Sequence, residues 1–539
     1  MSYSRLNSSA ATLTKNRTED SISPLSGMCA TCVDGCIGMC EIGKSAYRGA
    51  EMIYPQPFGI ITTASQKDYP VDLSHFTILG RATGAWGIEA DSNKALFPNV
   101  ALETKIGRDP AMAFKLPFIL AAMGSTNIAK NNWPGLAAGC AITGIAITVG
   151  ENVCGMDMDA KFSDGRVISS PELEWRVQCF REWQTDGYGD VIIQANVEDT
   201  MLGVQEYALR KLGVTSVELK WGQGAKDIGG EVKIRDLAKA QELQRRGYVV
   251  LPNPSDPMVI EAFGRGSFHE FERHSRVGMV ERDAFLRRVE ELRRMGAKHV
   301  TLKTGAYRPA DLARAVKFAS LAGLDLLTVD AAGGGTGMSP WRMMNEWGVP
   351  GVELHSLLRE YLDRLTREHE FVPSIALAGG FTFEDQIFKG LALAAPYVKL
   401  IAMARAPLAA AMVAKTIGKA IEGNQLPIYI ERYGGSVDEI FVTAPELRRR
   451  FGDRFAKLPV GAIGFYTYFQ RLAQGLRQLM TGARKFAVPY ISRDDIAALT
   501  PEASRISGIP HVSDVDRAEV EAILGDTERE EVENILRAR

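Results

Sequence analysis

The sequence predicts an α/β protein built as a (β/α)8 TIM barrel, and two observations carry that expectation. From about Pro117 onward one pattern repeats: a short apolar run, a Gly-containing or polar loop, then a charged stretch of helical periodicity. Eight such runs occur, and alternation at this spacing implies a parallel sheet that closes on itself. The ends of the runs are also unusually polar or Gly-rich, as expected where barrel enzymes carry their chemistry.

The runs are FILAAMG (118–124), GIAITVG (144–150), DVIIQAN (190–196), SVELKWG (216–222), HVTLKTG (299–305), LLTVDAA (326–332), SIALAGG (374–380) and YVKLIAM (397–403). Amphipathic segments such as RDAFLRRVEELRRMGA (282–297) and ADLARAVKFASLAG (310–323) lie between them. A ninth run, GYVVLPNP (247–254), carries two prolines and is expected to be an irregular excursion within the long insert after the fourth strand. The sixth run leads into AAGGGTGMSP, whose Gly333, Gly334, Gly335 and Gly337 surround Thr336. Without side chains, such a loop lets a flat or anionic ligand approach main-chain N–H groups. A flexible surface turn is the plainer alternative.

Four units are expected: an N-terminal arm with a four-cysteine loop (1–48), a connecting segment (49–110), the barrel (111–430) and a helical C-terminal extension (431–539). The arm up to about residue 23 is rich in Ser, Thr and Asn without apolar periodicity. Cys29, Cys32, Cys36 and Cys40 follow in C-x2-C-x3-C-x3-C spacing, with glycines that permit tight turns. Such spacing in one compact loop favours a metal site over disulfides in a reducing compartment. A [4Fe-4S] cluster fits better than zinc, which usually takes two separated pairs of ligands; zinc and unliganded thiols remain open alternatives. In the extension, FYTYFQRLAQGLRQLMTGA (465–483) is the clearest amphipathic stretch, and the charged 516–539 segment is read as a surface helix or a homo-oligomer contact.

A net charge of −2 gives no electrostatic case for nucleic acid or an anionic membrane surface. No apolar run reaches transmembrane length and no signal-peptide core is present, so a cytoplasmic protein is expected.

The candidate site residues lie at the C-terminal ends of the runs: Met123, Gly124, Glu151, Gln194, Lys220, Gln223, Lys226, Lys303, the 333–337 glycines, Gly379, Gly380, Ala404 and Arg405. A glycine pair after strand seven and an N–H-rich turn after strand eight are the elements of a phosphate cradle. Each position has an ordinary reading too. A strand-end lysine is compatible with a surface salt bridge, Gln194 with a satisfied core amide, and Gly379 and Gly380 with turn glycines.

From about Leu102 to Leu426 the chain resembles the FMN-binding domain of glutamate synthase. The resemblance rests on LETKIGRDPAMAFKLPFILAAMG, on VELKWGQGAKDIGGEVK with its Gln-Gly-Ala-Lys loop, on VTLKTG, on VDAAGGGTGMSP, and on ALAGGF followed by MARA. It implies FMN as cofactor, with Gly379, Gly380, Ala404 and Arg405 on the phosphate and Met123, Gly124, Gln194 and Lys303 along the ring. It also implies a substrate face of Glu151, Lys220, Gln223 and Lys226, where lysines hold the carboxylate of a small acid and Glu151 or Lys226 gives a proton. The implied reaction is reduction of a 2-imino acid, formed from 2-oxoglutarate and ammonia, or of a related unsaturated carboxylate. An FMN-dependent isomerase or lyase, and a flavin and iron-sulfur electron-transfer subunit or redox sensor, are the alternatives. The family's glutaminase domain and its cysteine cluster after the last barrel strand are not found, nor is a dinucleotide fingerprint. Electrons are therefore expected from ferredoxin or a donor subunit, and any glutamine-derived ammonia from a separate glutaminase subunit.

Overall fold

The structure is a computed structural model, and it describes residues 32–38, 40–49, 69–185, 187–222, 232–332, 334 and 347–525. All eight apolar runs form strands of one closed barrel: β1 (Phe118–Met123), β2 (Ala146–Val149), β3 (Val191–Ala195), β4 (Ser216–Lys220), β5 (His299–Thr304), β6 (Leu326–Asp330), β7 (Ser374–Ala378) and β8 (Val398–Met403). Neighbours pair in parallel, and closure runs through β8 to β1 and β4 to β5. Strands covered on both faces need apolar side chains on both, which is why these runs are continuous rather than alternating; every residue of β2, β3, β5 and β6 is buried.

Helices cover the barrel from outside. The two amphipathic segments form Arg282–Arg294 and Pro309–Leu321, and Pro309 at the start of the second supplies the φ of a first helical turn. Between β4 and β5 lies a small module with its own apolar core of Ile234, Ala240, Leu243, Tyr248, Val250 and Phe271. Its antiparallel sheet joins Val232–Ile234, Phe271–His274 and Val249–Leu251, with Phe271–His274 in the middle. The ninth run is therefore a true strand, contrary to the expectation of an irregular excursion. It is an edge strand, and its prolines 252 and 254 fall beyond its last residue, where no ladder hydrogen bond is required.

Three helices gather against the last barrel unit. They are α1 (Glu41–Arg48), just past the cysteine loop, α2 (Arg405–Glu422), which follows β8, and α3 (Val460–Gly482) of the C-terminal extension. Small residues bring them together: a Cβ on Gly464 of α3 would lie 2.2 Å from Ala414 Cβ of α2 and 3.1 Å from Ala46 O of α1. Among its described residues, the extension's regular elements are helices and helical turns apart from Ile496–Ala498, which pairs antiparallel with Phe76–Ile78 of the connecting segment. Among the described residues, no helix is long and apolar enough to cross a membrane.

Candidate active site

Parallel register brings a polar belt together inside the upper barrel. Gln194 of β3 and Thr301 of β5 both stand opposite Glu218 of β4. Gln194 Nε2 donates to Glu218 Oε1 at 2.6 Å and Thr301 Oγ1 to Glu218 Oε2 at 3.2 Å. Two residues further along β5, on the same face by strand periodicity, Lys303 pairs with Asp330 at the end of β6 at 3.0 Å. All five residues are buried. Burial raises the Glu218 carboxyl above its ordinary value, a rise that Lys303 partly opposes. Burial alone lowers the Lys303 amine, yet Asp330 and Glu218 carry it above its ordinary value, so it stays a cation.

At the outer rim, Lys220 Nζ donates directly to Glu151 Oε1 with both side chains mostly buried. Glu151 sits where β1 and β2 end in Gly124 and Gly150. A Cβ on Gly124 would lie 2.5 Å from Glu151 O, and one on Gly150 would lie 2.5 Å from Gly124 N. Only glycine allows the two strand ends to close so tightly. Met123 lies beside them and is buried.

Gly379 and Gly380 have φ of 127° and 97°, a left-handed region that side chains rarely enter. A Cβ on Gly334 would lie 3.2 Å from Gly379 Cα, so the loops after β6 and β7 touch. Nearby, α2 starts at Arg405 with Ala404 as its N-cap and, among the described residues, no side-chain cap. Arg405 is half-buried, and burial lowers its pKa. The structure thus brings Gly379, Gly380, Ala404 and Arg405 together as one corner of the rim, and Gln194 and Lys303 with the belt below it. Gln223, Lys226, Gly333, Gly335, Thr336, Gly337 and Cys29 lie outside the described residues.

Glu218, Asp330 and Thr301 are site residues that the sequence reading missed. A signal was present for the first, because Glu218 and Lys220 are separated by two in SVELK and share one face of the strand.

Residues 32–38 of the cysteine loop lie against α2. Asp34 pairs with Lys415 of α2 at 3.3 Å, and a Cβ on Gly38 would lie 2.6 Å from Val413 Cγ1 of the same helix. The Cys32 thiol is near enough to raise the pKa of Arg405. Two thiols accept backbone hydrogen bonds, Cys36 from Gly38 N–H at 3.3 Å and Cys40 from Gly43 N–H at 3.5 Å. Among the described residues, no group of three or more His, Cys, Asp or Glu side chains is gathered as a metal site.

A closed parallel barrel with its cations, carboxylates and glycine corner at the C-terminal rim has the architecture of an α/β-barrel enzyme. Residues 274–415, from the end of the insert to the middle of α2, match the conserved region in glutamate synthase, so the resemblance read from the motifs holds over that stretch. The match supports an FMN-dependent oxidoreductase. Comparison with curated proteins returns no match. Among solved structures, the flavin-binding domain of baker's yeast flavocytochrome b2 aligns at 12% identity and TM-score 0.45, over 85% of this chain and 82% of that one. A mandelate oxidase variant aligns at 14% identity and TM-score 0.42, over 78% of this chain and 87% of that one. At that level of likeness, the fold assignment stands on the strand topology itself.

Proposed function

We propose that this protein is an FMN- and iron-sulfur-dependent oxidoreductase of the glutamate synthase type. It reduces a 2-imino acid, formed from 2-oxoglutarate and ammonia, or a related unsaturated carboxylate. The observation that carries this reading is the pairing of a buried and a mostly buried lysine with carboxylates, Lys303 with Asp330 and Lys220 with Glu151, at the rim that also carries the glycine corner.

The residues fit a flavin. Among the described residues, Gln194 Oε1 is buried without a partner while its Nε2 is held by Glu218, which leaves an acceptor for the ring imide N–H. Gly379, Gly380 and the N-terminus of α2 suit the phosphate. When bound, FMN supplies the hydride. Lys303, held cationic by Asp330 and Glu218, stabilises negative charge along the belt. Lys220 anchors the substrate carboxylate in exchange for Glu151, which turns to the reacting nitrogen. Reduction adds a hydride to the imine carbon and a proton to the nitrogen, and Glu151 is the group placed to hold that proton. Burial of the belt keeps water from competing for it.

Cys29, Cys32, Cys36 and Cys40 would hold a [4Fe-4S] cluster that supplies single electrons from ferredoxin or a donor subunit. The donor set suits it, because Cys36 and Cys40 accept backbone hydrogen bonds of the kind that orient metal ligands. Val413, where the loop touches α2, stands ~12 Å along that helix from Arg405 at about 1.5 Å per residue.

The test is an anaerobic stopped-flow experiment. Reduced protein is mixed with 2-oxoglutarate plus ammonia and with each alone, following flavin absorbance and glutamate. Fast reoxidation with the pair, and glutamate formed one for one, is expected. Reoxidation with neither mixture nor single component, on protein retaining its flavin, would remove 2-oxoglutarate and ammonia as substrates.

A further inference from the structure

The reaction described above leaves unused a buried polar network directly behind Glu151. Its centre is Asn152, held at φ 66°, the left-handed region that asparagine enters more readily than most side chains. The Asn152 N–H donates to Asp199 Oδ2 at 2.8 Å, and its Nδ2 donates to Ser275 Oγ at 3.3 Å. Its side-chain oxygen accepts from Asn196 Nδ2 at 3.2 Å and from Tyr248 Oη at 3.1 Å. Arg273 Nη1 donates to the same Ser275 hydroxyl at 3.0 Å, and its guanidinium lies 4.9 Å over the Tyr248 ring.

These groups come from three places: the turn after β2, the short helix after β3, and the insert between β4 and β5 with the residues that follow it. Tyr248 reaches Asn152 only because residue 155 is glycine, since a Cβ there would lie 1.8 Å from Tyr248 Oη. Asn152, Asp199 and Arg273 are each 1% exposed. Among the described residues, Asp199 Oδ1 and Arg273 Nε nevertheless have no hydrogen-bond partner. Buried polar atoms left unsatisfied weaken a fold, so stability alone does not account for them. Burial lifts the Asp199 carboxyl to about 7; Glu151, Glu198, Cys154, Tyr248 and Arg273 are the titratable and charged groups that face it.

We propose that Asp199 and Asn152 are positioning residues for Glu151, clamped by Tyr248 of the insert, so that the seating of the insert fixes the Glu151–Lys220 pair. The meaning of that pair for catalysis rests on the substrate face described above. The insert then acts on the reaction without touching the reacting atoms, and a change in its seating changes how firmly Glu151 holds Lys220.

Trace acetylation by acetic anhydride tests this. The rate at Lys220 is read by mass spectrometry relative to exposed Lys211 in the purified full-length protein. Glu151→Gln removes a charged partner of Lys220 and should raise its rate. Asp199→Asn should raise it about threefold to tenfold, the range expected for coupling within one hydrogen-bonded network. The double variant should label no faster than Glu151→Gln alone, because Asp199 acts only through Glu151. A wild-type rate in Asp199→Asn, or full multiplication of the two effects, would overturn the proposal. Tyr248→Phe leaves Asp199 intact and should shift the rate in the same direction, again with no further effect on Glu151→Gln. It decides the question if Asp199→Asn shows no cooperative melt, and a wild-type rate in it would then overturn the proposal. The labelling needs neither flavin nor substrate, so a failed stopped-flow experiment and a failed labelling experiment point to different errors.

Discussion

Asp199 and Lys303 show how burial and pairing divide the ionisable groups of this barrel. Burial raises Asp199 from its ordinary value of 3.8 to about 7, so the folded chain binds its proton more tightly than the unfolded chain does. Stability from this group is therefore lost as pH rises from about 4 to about 7. Asp199→Asn cannot ionise and should flatten that slope, which urea midpoints at about pH 5 and about pH 8 measure; equal slopes would mean that Asp199 titrates as an ordinary carboxyl. Lys303→Met leaves Asp330 and Glu218 buried without their cation, and its expected cost is ~3–5 kcal/mol by equilibrium unfolding. Lys220 and Lys303 were legible in the sequence because a lysine closing an apolar run stands out. Glu218 was legible in principle from the two-residue period of its strand. Asn152, Asp199 and Arg273 were not, because their network is assembled from stretches that only the closed barrel brings together.

The strands were the most legible elements. Each is a continuous apolar run ended by a polar or glycine residue, and burial on both faces leaves little alternative. The strand Val249–Leu251 was misread because prolines beside an apolar run also mark an edge strand. Glycine geometry carries two predictions. Gly379 needs φ 127°, and a Cβ there would lie 3.1 Å from Ala331 N. Gly379→Ala should cost ~1–3 kcal/mol and weaken FMN binding, as measured by fluorescence titration of the apoprotein; unchanged affinity would move the phosphate elsewhere. Gly464 is the contact point of α1, α2 and α3. Gly464→Leu should displace α1, and with it the cysteine loop, so metal content should fall while FMN content holds. Full metal content would show that the loop needs no support from α3.

At the scale of the molecule, segments from either side of the barrel in sequence converge on the helix after β8: α1 from the N-terminal side, α3 from the C-terminal side. No sequence pattern announced this, since the contacts are made by small residues, and glycine and alanine carry no periodic signal of a partner. The arrangement places the rim in three zones: the glycine corner, the buried belt of Lys303, and the Lys220–Glu151 pair backed by the insert. We propose that the last of these zones serves substrate and the others serve flavin. The most direct measurement pairs FMN affinity with substrate-dependent flavin reoxidation in Lys220→Met. Loss of one charge-assisted contact predicts FMN affinity within about twofold of wild type and a reoxidation rate constant lower by about 10- to 100-fold. Loss of FMN, or reoxidation at the wild-type rate, would contradict it.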